Sequence, residues 1–292
     1  MNTKVALLVI YNHRYDKNIP VIDKLYENRF SYVFHIVPFY DGSAENVIPV
    51  YENSYYFQGY IAQAFHHLNN KNFTHYFIVA DDMFLRPSVN ENNIWSELGL
   101  GLDECYLSRV TIFQERRKYW FHTPEALTYR VSQPGVEIEN ILPTREEATM
   151  RFKSHGFPTS SIPIKRFFVR DWNLFRKRVL PYIGYSRKLD YPLVGGYSDI
   201  LLVPNSVMPK FCLYCGAFAA TKLFVEIAIP TAIALTADAI KTDKDLNIKR
   251  GDWPISKINT LLRDYKYSLK DLYDRFPEDY LYLHPIKLSK WK

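Results

Sequence analysis

Three short apolar runs constrain this chain more than any other feature. Lys4–Ile10 reads KVALLVI, Ser31–Phe39 reads SYVFHIVPF and His75–Ala80 reads HYFIVA. Each is rich in β-branched or large apolar residues and lacks a clean polar alternation. A strand wetted on one face would alternate, so these runs read as strands buried on both faces. Between them, Ile19–Asn28 and Tyr55–Leu68 read as helices, the second with Gln58, Ala62 and Phe65 at helical spacing. Strand and helix in alternation, with short connections, predict an α/β fold: a mostly parallel, Rossmann-like central sheet flanked by helices.

Beyond Trp95 the pattern loosens. Glu104–Val110 and Tyr197–Pro204 read as further strands and Phe168–Val179 as a helix. Phe218–Leu235 reads as mostly helical, with Pro230 as a kink or break. Ile255–Phe276 reads as a charged helix or helix pair, and Leu281–His284 as a short last strand. Pro124–Pro163 carries few periodic signals and suits a lid, an acceptor loop or a surface excursion. No repeat or low-complexity linker divides the chain. One domain over residues 1–292 is the expectation, with a more irregular half after residue 95.

Composition narrows the function classes. Hydrophobic residues make up 47% of the 292 residues, enough for a sizeable core. The net charge of +6 admits phosphorylated or anionic partners. No basic block of five or more exists, so nucleic acid is not an expected partner. Arg116-Arg117-Lys118 and Arg176-Lys177-Arg178 read first as solvated faces. Cys212-x-x-Cys215 lacks the second ligand pair that a zinc site needs, and with Cys105 reads as inert core thiol. The N-terminus lacks a signal-peptide pattern. Leu223–Ile240, the longest apolar stretch, contains Glu226, Pro230 and Asp238, which argues against a membrane span. A cytoplasmic location follows as an expectation, with peripheral contact at the membrane's inner face allowed.

Four constellations can carry chemistry. The first is Ile78–Pro87, IVADDMFLRP, where a buried strand runs straight into Asp81 and Asp82. In open α/β sheets ligands bind outside the carboxyl ends of strands. Paired carboxylates there are hard oxygen ligands suited to Mg²⁺ or Mn²⁺, and such an ion can bridge a diphosphate. The second is Glu226, a lone carboxylate in the apolar setting LFVEIAIPTAIAL. Burial would raise its pKa and suit a proton acceptor; a helix-start Glu favoured by the macrodipole is the other reading. The third is Gly195-Gly196-Tyr197-Ser198-Asp199, where glycines permit close backbone approach and Asp199 can grip a sugar hydroxyl. The fourth is LHPIKLS, with His284 as a metal ligand and Lys287 as a phosphate partner.

The order of these elements resembles the GT-A glycosyltransferases. Tyr11-Asn12-His13 ends the first strand, Tyr40-Asp41-Gly42-Ser43 is similar to the family's acidic turn, and Ala80-Asp81-Asp82 stands where the family has Asp-x-Asp. The resemblance covers roughly residues 4–90, and it departs at Ala80, where a strict Asp-x-Asp would have a carboxylate. It implies a nucleotide-sugar-binding half over residues 1–95 and an acceptor-binding half with a C-terminal tail over 96–292. It implies that Tyr11, Asn12 and Asp41 hold the nucleoside, that Asp81, Asp82 and His284 hold Mn²⁺ or Mg²⁺, and that Lys287 offsets diphosphate charge. Glu226 becomes the candidate base, which would mean inversion, and Asp199 a second catalytic carboxylate. The implied donor is a nucleotide-diphosphate sugar, UDP-linked first, with UDP-galactofuranose one candidate. The implied acceptor is a glycan or lipid-linked glycan of bacterial surface-polysaccharide assembly. Two rivals stand beside this reading. A nucleotidyltransferase acting on sugar phosphates would want glycines after the first strand, where YNHRYDKN has none. A non-catalytic carbohydrate-binding protein would share the aromatic richness.

Overall fold

The structure is a computed structural model that describes residues 4–116, 119–138, 140–246, 248–249, 251–252, 257, 260 and 263–291. Arg117 and Lys118 of the first basic cluster, and part of the expected 255–276 helical stretch, lie outside them.

The three apolar runs form β1 (Val5–Ile10), β2 (Val33–Pro38) and, after β3 (Val47–Val50), β4 (His75–Ala80). Later come β5 (Phe84–Leu85), β6 (Cys105–Thr111), β7 (Gly195–Pro204), β8 (Ile240–Lys241) and β9 (Tyr282–Leu283). Seven strands make one sheet in the order β3-β2-β1-β4-β7-β6-β8, and β5 pairs with β9 apart from it. The first four in that order are parallel. Only β7 runs against its neighbours. The expected mostly parallel α/β sheet is present.

The period-2 rule explains why β1 and β4 carry no polar face. Ala6, Leu8, Ile10, Tyr76 and Ile78 enter one core layer. Val5, Leu7, Val9, Phe77 and Val79 enter the other. The first layer is closed by α2 (Gln58–Leu68), α7 (Met208–Ala220) and α8 (Val225–Thr236). The second is closed by α1 (Ile19–Tyr26) and the short α3 (Ile94–Glu97). A helix that is apolar all round is a buried helix, and in α8 only Glu226 and Thr236 are less than fully buried.

Several expectations change. Phe218–Leu235 is two helices, because α7 ends at Ala220 and Lys222 adopts a positive φ of 55° before α8 begins. Pro230 lies within α8 without ending it. Pro124–Pro163 holds α4 (Thr123–Thr128) and α5 (Arg145–Ser154); α5 opens on a capping box between Thr144 and Glu147. The expected Phe168–Val179 helix is the shorter α6 (Trp172–Arg178). Within 255–276 a helix α9 spans Leu269–Asp274. Cys105, Cys212 and Cys215 are free and buried, as inert thiols should be.

Gly195 and Gly196 lie inside β7, and their close approach is to protein. A Cβ on Gly195 would stand 2.4 Å from the Trp120 ring. One on Gly196 would stand 2.4 Å from the Arg109 carbonyl oxygen and 2.7 Å from the Pro230 ring. These glycines let α8 settle on the sheet, which corrects the expectation that they bring backbone to a ligand.

Candidate active site

Parallel pairing builds the site's floor. Ile10 lies opposite Ala80, so β1 and β4 end together. Asn12 and Asp81-Asp82 therefore leave the same edge, the one where α/β sheets bind ligands. Antiparallel β7 pairs Ile200 with Val79, which brings its residue Asp199 to that edge from the other direction. Tyr197 and Asp199 are two apart on a strand and share a face. The tail completes the edge. Strand β9 pairs with β5, the Ile286 amide donates to the Asp82 carbonyl, and the His284 amide donates to the Gly251 carbonyl at 2.9 Å. Leu283, Ile286 and Trp291 anchor it in a small apolar cluster with Phe84, Leu272 and Phe276.

His284 is the centre of the arrangement. Its Nε2 stands 2.9 Å from Oδ1 of Asp82 and 4.0 Å from Oδ2 of Asp199. Its Nδ1 meets the Tyr197 hydroxyl at 2.7 Å. Burial works against a charged imidazole, but the carboxylates of Asp82, Asp199 and Asp252 outweigh it and raise the His284 pKa. Asp252 is itself paired with Arg109 at 3.3 Å. Burial also raises Asp81 to about 7, helped by the charge of Asp82, while hydrogen bonds from Asn18 and the Asn12 backbone pull it down. Asp199 is raised by burial, with His284 opposing. Glu226, in the first turn of α8, is pushed up to about 7 by burial and by Asp199, against Arg116.

A cavity of about 190 Å³ opens beside the paired aspartates, lined by Asn12, His13, Tyr15, Asn18, Asp81, Asp82 and Lys287. Pockets that enclose a whole small ligand run about 300–1,000 Å³. This one suits a phosphate group with its counter-ion, and a larger ligand would extend along the open edge.

The structure thus draws together Asp81, Asp82, His284, Asn12, Lys287, Asp199 and Glu226. Two others stand differently. Tyr11 is fully buried and its hydroxyl is bonded to Nδ1 of His35 at 2.9 Å, so its side chain faces the core and not the cavity. Asp41 lies past the end of β2, with its side chain 78% exposed and paired with Arg14, the residue between the cavity-lining His13 and Tyr15. Sequence reading missed Asn18, Tyr197, Asp252, Arg109 and Arg116. Tyr197 alone carried a usable signal, its spacing of two from Asp199.

The donor set fits a divalent ion of the Mg²⁺ or Mn²⁺ kind. Oδ1 of Asp82 is buried, and Nε2 of His284 faces it at 2.9 Å as an ion pair when the imidazole is charged. A divalent cation entering beside Asp82 would take the place of that imidazole proton, leaving the carboxylate compensated and the ring neutral, as a metal ligand must be. Among the described residues no three His, Cys, Asp or Glu side chains already stand as a ligand set; Asp82 and His284 face each other directly. No known protein-family model matches the chain, and no curated protein matches it either.

Proposed function

We propose that this protein is a metal-dependent glycosyltransferase of GT-A architecture. Its donor is a nucleotide-diphosphate sugar, UDP-linked first among candidates, and its acceptor a hydroxyl of a glycan or lipid-linked glycan. The observation that carries the reading is the meeting of Asp82 and His284 beyond the ends of β1 and β4, from widely separated parts of the sequence. Lys287 and Asn12 line the adjoining cavity. The sheet supports it too, since four parallel strands followed by one antiparallel insertion suit a nucleotide-binding edge with an acceptor side built on β7.

Asp82 and His284 would hold Mn²⁺ or Mg²⁺, with Asp81 beside them. A bound ion supplies charge stabilisation to the departing diphosphate. Lys287 adds a cation at the rim of the same cavity, and Asn12 and Asn18 offer amide donors to phosphate oxygens. Asp199 would accept a hydrogen bond from a sugar hydroxyl. Glu226 is the proton acceptor for the incoming hydroxyl. Its pKa of about 7 suits that task, because a base works best when its pKa lies near the working pH. A base in this position means inversion at the transferred carbon.

Titration calorimetry of UDP with Mn²⁺, and again with a chelator, tests the reading. Saturable binding that needs the metal is expected. Asp82→Ala should weaken it by more than the about 10–100-fold typical of an outer-shell change, in a protein that melts normally. UDP binding indifferent to metal, or unchanged by Asp82→Ala, rejects the metal site. Absence of nucleotide binding in the parent favours a carbohydrate-binding protein without catalysis.

A further inference from the structure

Residues 164–188 stand apart from the rest of the molecule. They hold eight Lys or Arg against the single Asp171, a net +7 in a chain whose total is +6. Of these 25 positions only Val179 is buried. Large apolar side chains point outward instead: Phe168 is 77% exposed, Trp172 67% and Ile183 64%, with Ile164 and Leu180 also exposed. Lys165, Arg170, Arg176, Lys177, Arg178 and Lys188 have no ion-pair partner among the described residues. Asp171 caps α6 by accepting from the Asn173 and Leu174 amides, so the one acid is engaged in local structure. The segment is nevertheless tied down. Arg166 donates to the Gln114 carbonyl at 3.0 Å, the Tyr119 hydroxyl donates to the Arg178 carbonyl, and the Ile162 amide donates to the Arg187 carbonyl at 2.8 Å.

We propose that residues 164–188 form a docking surface for an anionic lipid bilayer. Water alone gives no reason to expose Phe168, Trp172 and Ile183 within one basic stretch, since exposed apolar patches of this kind mark interaction sites. A bilayer surface with anionic headgroups accepts both features at once. Lys and Arg meet the headgroup charge, and Trp, Phe and Ile enter the boundary with the acyl region. Nucleic acid takes the cations and stacks on aromatic rings, but it has no use for Ile164, Leu180 and Ile183. The docking surface is clamped to residues 114 and 119, Arg116 between them lies over the Trp120 ring at 5.3 Å, and Gly195 packs against both that ring and the Glu226 carbonyl oxygen. The membrane would therefore lie on the same flank as Glu226. The proposal stands without the glycosyltransferase reading, because its test needs no turnover.

Co-sedimentation measures it, with vesicles of phosphatidylcholine alone and with about 30% phosphatidylserine added. The parent should bind the anionic vesicles, should leave the neutral ones, and should be released by raised salt as the charges are screened. Replacing Arg176, Lys177 and Arg178 by Gln together should weaken binding about a hundredfold, each cation near the surface being worth roughly fivefold. Phe168→Ser with Trp172→Ser should weaken it about tenfold while leaving its salt dependence in place. The parent's tryptophan emission should shift to the blue with anionic vesicles, and Trp172→Phe should abolish most of that shift. None of these side chains lies in the candidate site, and thermal melts of the variants should match the parent. Failure to bind anionic vesicles, equal binding to neutral ones, or unchanged binding by the triple Gln variant overturns the proposal. So does retention on duplex RNA without retention on vesicles, which would mark a nucleic-acid surface.

Discussion

Tyr197 is the residue on which the site's geometry turns. Its hydroxyl lies 2.7 Å from Nδ1 of His284, and it sits on β7 one pleat from Asp199. A metal-binding imidazole needs its other nitrogen held, because that hydrogen bond fixes both the tautomer and the ring's orientation. Tyr197→Phe removes the hydroxyl and keeps the ring, which stacks on Tyr282 at 6.1 Å. Metal-dependent UDP affinity should fall about 10–100-fold, with the melting temperature nearly unmoved. Calorimetry on the variant checks this, and parental affinity would reduce Tyr197 to a packing residue. The sequence showed Asp81, Asp82, His284 and Lys287 because each stands in a polar break after an apolar run. It could not show that Tyr11 turns inward, since a strand-end tyrosine reads the same whether its hydroxyl meets His35 or a ligand. Nor could it show Asp252, whose place beside His284 depends on a bridge between two distant loops.

At the scale of elements, two helix contacts make opposite demands on their glycines: α8 on β7 at Gly196, and α7 on α2 at Gly216. Gly196 sits under Pro230, and an added methyl would meet the Arg109 carbonyl oxygen at 2.4 Å, against backbone that cannot yield. Gly196→Ala should therefore destabilise by about 1–3 kcal/mol, the usual cost of overpacking a tight core. Gly216 lies mid-helix in α7, where a Cβ would find only Ala62 at 3.6 Å, an ordinary contact. Gly216→Ala should stabilise by about 0.5–1 kcal/mol, because alanine restricts the unfolded chain and favours helix. Urea midpoints of the two variants should move in opposite directions, and a shared direction would refute this packing account. Strands β1, β2 and β4 were legible because burial on both faces leaves a continuous apolar run. Strand β3, with only VIPV, and the two-residue β8 were not, since their pairing comes from neighbours and not from their own pattern. The start of α7 was hidden by Pro209, which reads as a break in a helical pattern. Proline is tolerated in a first helical turn, and Cys212 and Cys215 fill the layer shared with α2 and α8.

Across the whole molecule charge is sorted by place, with +7 on residues 164–188 and a cluster of half-buried carboxylates at the sheet edge. The carboxylates oppose folding as they ionise. Glu226 has a pKa of about 7 in the folded protein against its ordinary 4.5, so the folded chain holds that proton longer than the unfolded chain does. Stability from this group is complete below pH about 4.5 and is lost as the pH rises through about 7, because the unfolded chain then releases its proton at lower cost. The difference corresponds to as much as about 3 kcal/mol. Glu226→Gln cannot ionise and escapes the loss. The variant should match the parent's stability near pH 4.5 and exceed it by about 1–3 kcal/mol at pH 8, where the parent carries the buried charge. On the proposed function its UDP binding with Mn²⁺ should equal the parent's, since Asp82, His284 and Lys287 are untouched. If Glu226 is the base, turnover should drop about 10²–10⁴-fold, because an amide cannot take the hydroxyl proton. Denaturant melts at the two pH values and a donor-consumption assay read these effects separately. A stability gain with turnover intact would keep the electrostatics and reject the base. A turnover loss without the pH-dependent gain would keep the base and reject desolvation as the cause of its raised pKa.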